Sequence, residues 1–360
     1  MTSDPYRRLA QRLDALPNGF PATESGVEQQ LLATFFTPAE ADLAAQLRVT
    51  LETAAQIADR CGGDPATLRP MLKGMLRRGL IRAGRVDDGL GFGLLPFVVG
   101  IYEAQLGEIS PTQAALFESY YHEAFGRMLD VQPPVHRVIP VNESIRVDTE
   151  VHPYESAAAI VDSMQSWGVI DCICRRQKAQ IGEPCDHPVD VCLILGKRPG
   201  AFDNQPRIQT LTHAEAQQTL SRAAAAGLVH TTGNNQRGIH YICNCCTCSC
   251  GILRGMVDLG LANVVARSAF VNQVDEQACI GCELCLPACQ FGALALNDAF
   301  VVEVSETRCV GCGVCVSFCE EGAMALLRRP EAEIKPPPPT LMEWGLERAM
   351  VRGLNVLDVL

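Results

Sequence analysis

The sequence predicts a multidomain α+β protein: a winged-helix-like N-terminal domain, a central cysteine-rich α/β domain and a C-terminal domain built on an internal repeat. Three observations lead to this prediction. The chain has 360 residues, 48% of them hydrophobic, so it can bury more than one core. Patterns of helical spacing and of strand-like spacing both occur along it. Its 18 cysteines are concentrated in two regions, 172–250 and 279–319.

The first two segments are an N-terminal arm, residues 1–30, and a winged-helix-like domain, residues 31–96. The arm begins with a helical pattern. In the second segment, helix starts are indicated at Thr37-Pro38, Thr53 and Asp64-Pro65. A glycine-rich, hairpin-like stretch follows them. Three helices and then a hairpin is the order of a winged helix-turn-helix.

A helical connector, residues 97–155, follows and is broken at Ser110-Pro111. The central domain spans residues 156–270, and the repeat region spans 271–329. The elements predicted in and next to the central domain are a helix from Glu155 to Trp167, a helix from His213 to Ala226 and a strand from Leu228 to His230. Residues 330–360 comprise a proline-rich linker and a short amphipathic segment.

Charge and hydropathy exclude several classes of protein. A formal net charge of −11 argues against a chain that wraps nucleic acid over its whole surface. The arginine-rich stretch from Met1 to Leu16 does not resemble a signal peptide. The longest apolar run, from Gly89 to Tyr102, is shorter than the roughly 20 residues of a membrane span. We therefore expect a cytoplasmic protein without a membrane span.

The cysteine content points to metal binding. Disulfides are rare in the reducing cytosol, so cysteines at short, regular spacing are interpreted as metal ligands. Cys61 stands alone, nine cysteines lie in 172–250, and eight lie in 279–319.

The last eight cysteines belong to an internal repeat. Residues 278–285, Ala-Cys-Ile-Gly-Cys-Glu-Leu-Cys, correspond to residues 308–315, Arg-Cys-Val-Gly-Cys-Gly-Val-Cys. Both copies have the spacing C-x2-C-x2-C-x3-C and continue into a Gly-Ala pair and an apolar strand. The motif cysteines are Cys279, Cys282, Cys285 and Cys289 in the first copy and Cys309, Cys312, Cys315 and Cys319 in the second.

This spacing fits an iron–sulfur cubane. Three cysteines at steps of three wrap a tight loop around one face of a cluster. Gly281 and Gly311 are predicted to allow close approach of the loop backbone. The alternative is zinc, but zinc ribbons separate their cysteine pairs by longer loops.

Residues 271–329 thereby resemble the bacterial-type two-[4Fe–4S] ferredoxin family. The resemblance implies two [4Fe–4S] clusters and electron transfer, with the fourth cysteine of each motif starting a helix and ligating the other cluster. The implied ligand sets are Cys279, Cys282, Cys285 and Cys319 for one cluster, and Cys309, Cys312, Cys315 and Cys289 for the other. The sequence departs from the family in one respect, because Gln290 and Glu320 replace the proline that usually follows the fourth cysteine.

The nine central cysteines follow no ferredoxin pattern. Eight are candidates for a further metal: Cys172, Cys174, Cys185, Cys243, Cys245, Cys246, Cys248 and Cys250. The ninth, Cys192, lies in an apolar run and is predicted to be a core residue. In extended backbone, residues two apart share a face. This rule groups Cys172 with Cys174, groups Cys246 with Cys248 and Cys250, and places Cys243 and Cys245 opposite that second group.

Three interpretations of the central cysteines stay open: a third Fe–S cluster, a zinc site completed by His187 or His240, or no metal. The arrangement of cysteines over about 95–350 is similar to that of a group of larger 4Fe–4S binding proteins of anaerobic metabolism. That resemblance names no substrate.

Other functions find less support in the sequence. The third helix of 31–96 carries basic residues that can meet phosphates, namely Arg69, Lys73, Arg77 and Arg78. Its apolar neighbours offer base edges little to bond with, so a docking or structural role is favoured over DNA binding. No glycine-rich nucleotide fingerprint and no catalytic cluster stands out. The basic stretch from Arg175 to Lys178 is predicted to be a solvated turn.

Together these features predict a protein that relays single electrons between a donor and a partner oxidoreductase. It is expected to act as a carrier or an electron-transfer subunit, with no catalytic residue assigned. Two alternatives remain: a redox-sensing DNA-binding regulator, and an enzyme subunit with a catalytic cluster in the central domain.

Overall fold

The computed structural model describes residues 4–105 and 108–355. Residues 1–3 of the predicted arm, 106–107 of the connector and 356–360 of the C-terminal segment lie outside the described residues. The chain divides into two compact units. Unit 1 comprises residues 1–132, 180–182 and 345–360, and unit 2 comprises 133–179 and 183–344. Among the described residues, no helix is both long and apolar enough to cross a membrane.

Unit 1 is mainly helical. Its described α-helices are Pro5–Asp14, Val27–Phe35, Pro38–Ala44, Ala54–Cys61, Pro65–Arg77, Pro111–Tyr120 and Gly126–Met128. Three of them start where the sequence indicates, because Thr37, Thr53 and Asp64 cap their first turns with side-chain oxygens.

A small antiparallel sheet follows the third of these capped helices. Ile81–Val86 pairs with Gly89–Leu94, whose other edge pairs with Glu52–Thr53. Phe92 and Leu94 are buried on the inner face of the sheet. The hairpin predicted from the glycine-rich stretch is therefore present.

The connector packs through aromatic side chains rather than through two regular helices. Between residues 97 and 105 the chain makes short irregular or 3-10 turns, at Phe97–Ile101 and Glu103–Gln105. The helix Pro111–Tyr120 then starts with a capping box from Ser110. Its Phe117 stacks on Tyr102 with ring centroids 4.1 Å apart.

The C-terminal helix, Leu341–Val351, contributes a buried cation to unit 1. Arg348 is fully buried and donates hydrogen bonds to the backbone carbonyls of Pro17, Met128 and Val131. A guanidinium has five donors, so one side chain can satisfy several carbonyls that would otherwise be buried without partners.

Unit 2 is organised around a seven-stranded sheet. In spatial order the strands are Val265–Ala266, His136–Val138, Val229–Gly233, Tyr241–Cys245, Cys192–Gly196, Ser166–Ile170 and Gln209–Leu211. Neighbours pair antiparallel except for the first two strands, which are parallel. The accompanying α-helices are Ala157–Asp162, Ile173–Gln180, His213–Ala225 and Gly255–Asp258.

One predicted helix of this unit is wrong. The stretch from Glu155 to Trp167 forms the short helix Ala157–Asp162 and then enters the strand Ser166–Ile170. Trp167 lies in that strand and donates from its indole N–H to the carbonyl of Val161. Pairing with the buried strand Cys192–Gly196 overrides the local helical pattern.

The repeat region adds two small antiparallel sheets to unit 2. Phe270–Val274 pairs with Met324–Arg328, and Leu294–Leu296 pairs with Val302–Val304. The proline-rich segment after them is hydrogen bonded to the loop between the strands Val229–Gly233 and Tyr241–Cys245. The amides of Gln236 and Arg237 donate to the carbonyls of Pro338 and Pro339.

Candidate metal centres

The doubled motif folds into two cavities, each lined by four cysteines. Three cysteines of each cavity come from one motif, and the fourth comes from the other motif. The first cluster site consists of Cys279, Cys282, Cys285 and Cys319. The second cluster site consists of Cys309, Cys312, Cys315 and Cys289. Four thiols around an enclosed space are a donor set that fits a [4Fe–4S] cluster.

Short helices position the fourth cysteines. Cys285–Ala288 is helical and ends at Cys289, which is extended, and the 3-10 turn Val314–Phe318 likewise ends at Cys319. The prediction that the fourth cysteine begins a helix is therefore wrong. The chain leaves the helix at that residue, which lets its thiol line the other motif's cavity.

Glycines are required inside the loops for a reason that the sequence did not indicate. Gly281 and Gly311 both have positive φ, +66° and +70°. A Cβ added there would collide with the backbone carbonyls of Phe300 and Phe270, respectively. The close approach is therefore between the loop and a neighbouring strand or turn.

Burial disfavours the deprotonation of three of these thiols by raising their pKa. It raises the pKa of Cys285 to about 11 and that of Cys312 to about 12. It also raises the pKa of Cys315. Thiolates are the metal-binding form, so loading the sites with metal releases protons.

Residues 278–323 match the family of 4Fe–4S dicluster domains. The match covers all eight cysteines of the doubled motif. The chain therefore contains an iron–sulfur domain of the 4Fe–4S ferredoxin type, called the dicluster domain below. Neither a curated protein nor a solved structure gave a significant match to the chain.

The two halves of the dicluster domain differ in polarity. Asn272 is buried and donates from Nδ2 to the Sγ of Cys315 at 3.3 Å, in the second cluster site. The position that corresponds to it in the repeat is Val302, which packs against Cys285 in the first site. Hydrogen bonds to cluster sulfurs tune the reduction potential, so the two sites are electrostatically unequal.

The two halves also differ in exposure. Cys282 is exposed, and three large apolar side chains stand near it in the solvent: Ile280 is 65% exposed, Leu284 51% and Phe300 71%. In the second site the corresponding Cys312 is only half-exposed. Its loop is covered by the segment 141–144, which hydrogen bonds to the backbone of that loop.

Gln290 replaces the family's proline with a bridge to the central cysteines. Its side-chain oxygen accepts from the amide of Thr247 at 2.7 Å, and its side-chain nitrogen donates to the carbonyl of Gly227. Thr247 lies between Cys246 and Cys248. A ligand loop of the dicluster domain is therefore bonded directly to the central cysteine loop.

Six of the central cysteines form a closed ring of thiols. Each thiol lies close enough to the next to shift its pKa, in the order Cys172, Cys174, Cys250, Cys245, Cys243 and Cys192, and back to Cys172. We call this set the six-thiol ring. Cys192 is buried, as the sequence predicts, and it also belongs to this set.

The sheet explains how distant cysteines meet in the ring. Ile170 at the end of one strand pairs with Cys192 at the start of the next. The neighbouring strand, Tyr241–Cys245, runs antiparallel to the one that begins with Cys192. The end of the first strand, the start of the second and the end of the third therefore lie at the same edge of the sheet.

The remaining three central cysteines form a second, compact set with a histidine. The ligand atoms of Cys185, His187, Cys246 and Cys248 all lie within 4.8 Å of one another. Specific separations are 4.0 Å between the sulfurs of Cys185 and Cys246, and 3.8 Å between the sulfur of Cys248 and Nδ1 of His187. We call this set the compact site.

The division into these two sets departs from the face-sharing rule at one residue, Cys250. Cys172 stays with Cys174, and Cys243 and Cys245 lie apart from Cys246 and Cys248, as that rule groups them. Strand geometry ends at Cys245, and residues 247–249 form a turn in which the amide of Cys250 donates to the carbonyl of Cys246. The turn brings Cys250 back to Cys245 and away from Cys246 and Cys248. A two-residue periodicity applies only while the backbone stays extended.

A buried arginine lies beside the compact site. Arg175 is 3% exposed and donates to the carbonyl of Asn244, and also to the Sγ of Cys246 at 3.6 Å. The helix Ile173–Gln180 holds it there, so the prediction of a solvated turn is wrong for Arg175 and for the buried Lys178. Hydrogen bonding to Cys246 raises the pKa of His187 to about 9.

Sequence patterns do not predict a role for Arg175 at a metal site, because no motif relates its position to those of the cysteines. One signal was available, since Arg175 directly follows Cys174 on a helix and therefore cannot lie far from the ring. The sequence predicts His187 as one of two histidines that could complete a zinc site. The other candidate, His240, is not part of the compact site.

Proposed function

We propose that this protein relays single electrons through two [4Fe–4S] clusters, to or from a partner oxidoreductase. The observation that supports it is the pair of cavities, each lined by three cysteines of one motif and the fourth of the other. When bound, each cluster supplies reversible one-electron chemistry. The chain supplies the ligands, the spacing and the surroundings that set the potentials.

The unequal exposure of the two sites suggests a direction. The first cluster site presents the exposed Cys282 and three solvent-exposed apolar side chains, which suits docking of a partner. The second site is covered, and its Cys289 is followed by Gln290, the bridge to the central loop. We propose that electrons are exchanged with the partner at the first site and pass inward to the second.

The inward destination is a third Fe–S cluster in the six-thiol ring. Six buried or half-buried thiols exceed the four ligands that a cubane needs. The turn 246–250 joins this ring to the loop that Gln290 binds. A relay that ends in the central domain accounts for the polar bridge between the two regions.

For the N-terminal region we propose a winged-helix-like domain that docks a protein partner. The order of elements supports this: helices Ala54–Cys61 and Pro65–Arg77, then the hairpin of the three-stranded sheet. Arg78 at the end of the second helix is paired with Glu40, which lowers the phosphate-binding charge of that helix. A gel shift at low salt tests the alternative, because sequence-specific DNA binding there would contradict a docking role.

The relay is tested by anaerobic purification with iron, sulfide and zinc quantification and EPR. We expect about 8 iron atoms per chain from the dicluster domain and about 12 with the ring occupied. Fewer than about 8 after reconstitution would overturn the dicluster assignment, and about 8 would overturn the third cluster.

The crossed ligand sets have their own control in the same experiment. Cys289→Ser and Cys312→Ser should alter the same EPR signal, because both residues line the second site. Cys319→Ser and Cys282→Ser should alter the other signal. If Cys289→Ser instead shares its spectrum with Cys282→Ser, each motif binds its own cluster and the crossed arrangement is wrong.

A further inference from the structure

We propose that Cys185, His187, Cys246 and Cys248 bind a single zinc ion, separate from any iron–sulfur cluster of the chain. The compactness of the site is the first argument. Tetrahedral ligands at a zinc–sulfur distance of about 2.3 Å place two sulfurs about 3.8 Å apart. The 4.0 Å between the sulfurs of Cys185 and Cys246 is close to that value. The 3.8 Å between the sulfur of Cys248 and Nδ1 of His187 is likewise close to the about 3.6 Å of a sulfur and a nitrogen on one zinc ion.

The cluster sites differ in this respect. Ligands of a cubane bind different irons, so their sulfurs stand farther apart than around one ion. Within residues 4–105 and 108–355, no other group of three or more cysteine, histidine or carboxylate ligands is as closely gathered. In the two cluster sites and in the six-thiol ring, no three ligand atoms all lie within 4.8 Å of one another. The compact site is thus of single-ion size.

The donor set favours zinc. Three thiols and one imidazole form the Cys3His combination common in structural zinc sites. Soft thiolate ligands select against magnesium and calcium, which prefer oxygen. Because all four positions come from the protein, the site is closed, as in structural rather than catalytic zinc centres.

The surroundings match the charge of such a centre. Zinc with three thiolates and a neutral imidazole has a net charge of −1. The buried guanidinium of Arg175, 3.6 Å from the sulfur of Cys246, supplies the compensating positive charge. The hydroxyl of Ser249 donates to the sulfur of Cys185 at 3.4 Å. Outer hydrogen bonds of this kind orient thiolate ligands.

Zinc can reach the site from solvent, and its binding would join two loops. Cys248 is exposed, so the site can load from solvent. Bound zinc would join the 185–187 loop to the 246–248 loop, in which Thr247 is bonded to Gln290. Zinc is redox-inert, so its role here is to hold the loop that lies between the six-thiol ring and the dicluster domain.

The test is zinc content of the anaerobically purified full chain, measured by mass spectrometry, with X-ray absorption at the zinc edge. We expect about one zinc per chain with a three-sulfur, one-nitrogen shell. His187→Gln and Cys248→Ser should reduce zinc to background, whereas His187→Cys, which restores a ligand, should retain it. His240→Gln and Cys61→Ser are the matched controls and should keep the ion.

Folding of each variant is checked by circular dichroism and by the EPR signals of the dicluster domain. Zinc content unchanged in well-folded His187→Gln and Cys248→Ser variants would overturn the proposal. So would an iron signal that disappears in those variants, since iron would then occupy the site. The outcome does not depend on the relay, because zinc and iron are counted separately.

Discussion

The bridge made by Gln290 can be tested by restoring the residue that the ferredoxin family has at this position. The backbone accepts proline there. Gln290 is the second residue of a turn closed by a hydrogen bond from the Gly292 amide to the Cys289 carbonyl, at 3.2 Å. Proline is favoured at that position of a turn, and the preceding residue is already extended. Any loss in Gln290→Pro therefore comes from the side chain.

The expected loss follows from two hydrogen bonds. Each contributes about 1 kcal/mol net, and more where the abandoned partner is buried. The amide of Thr247 and the carbonyl of Gly227 would both lose their partner. Proline regains about 0.4–1 kcal/mol by restricting the unfolded chain. We expect Gln290→Pro to lower the free energy of unfolding by about 1–2 kcal/mol.

Glu320→Pro is the matched control. Glu320 occupies the same position of the repeat, in a turn closed by the Gly322 amide and the Cys319 carbonyl, and its side chain is exposed. This substitution should leave stability unchanged or raise it by about 0.5–1 kcal/mol. Anaerobic urea unfolding of the holoprotein, followed by circular dichroism and cluster absorbance, measures both variants. Equal stability of the two variants would show that the bridge contributes nothing.

Two further predictions use the inequality of the repeats. Asn272→Val should lower the reduction potential of the second cluster by about 40 mV, because a lost hydrogen bond worth about 1 kcal/mol no longer favours the reduced, more negative state. Val302→Asn should raise the reduction potential of the first cluster. EPR-monitored redox titration detects either shift, and no shift in either variant would refute the reasoning. Gly313→Ala should destabilise the holoprotein by about 2 kcal/mol or more, since φ is +76° and the added Cβ would lie 2.7 Å from a neighbouring side chain. Glu283→Gly, at the corresponding exposed position with φ +64°, should stabilise the holoprotein by about 1 kcal/mol. Thermal melting under anaerobic conditions measures both variants, and equal melting temperatures would contradict the argument.

Much of the dicluster domain could be predicted from its sequence, for a local reason. Four cysteines within eleven residues determine the loop around a cluster, because few backbone paths bring so closely spaced thiols to one centre. The same holds for helix starts at Thr37, Thr53 and Asp64, where the capping side chain and the capped amide are neighbours in the chain. These features depend on residues only a few positions apart.

The central cysteines show what spacing alone could not decide. Their division into the six-thiol ring and the compact site depends on which strands are neighbours and on the turn that follows Cys245. Pairing between strands brings Ile170 beside Cys192, 22 positions away, and Leu193 beside Ile242, 49 positions away, and no short-range pattern encodes that. The burial of Arg175 beside Cys246 is a consequence of the same packing.

Local spacing is enough to identify an iron–sulfur protein with a doubled four-cysteine motif, since the cysteines of each motif lie within eleven residues of one another. The exchange of Cys289 and Cys319 between the motifs is already implied by the resemblance to two-cluster ferredoxins. The folded chain alone shows which central thiols lie together. It also decided that Gln290 joins the two regions. The physical reason is that metal sites are selected by distances in space, and those distances are set by sheet pairing and turns far from the ligands in sequence.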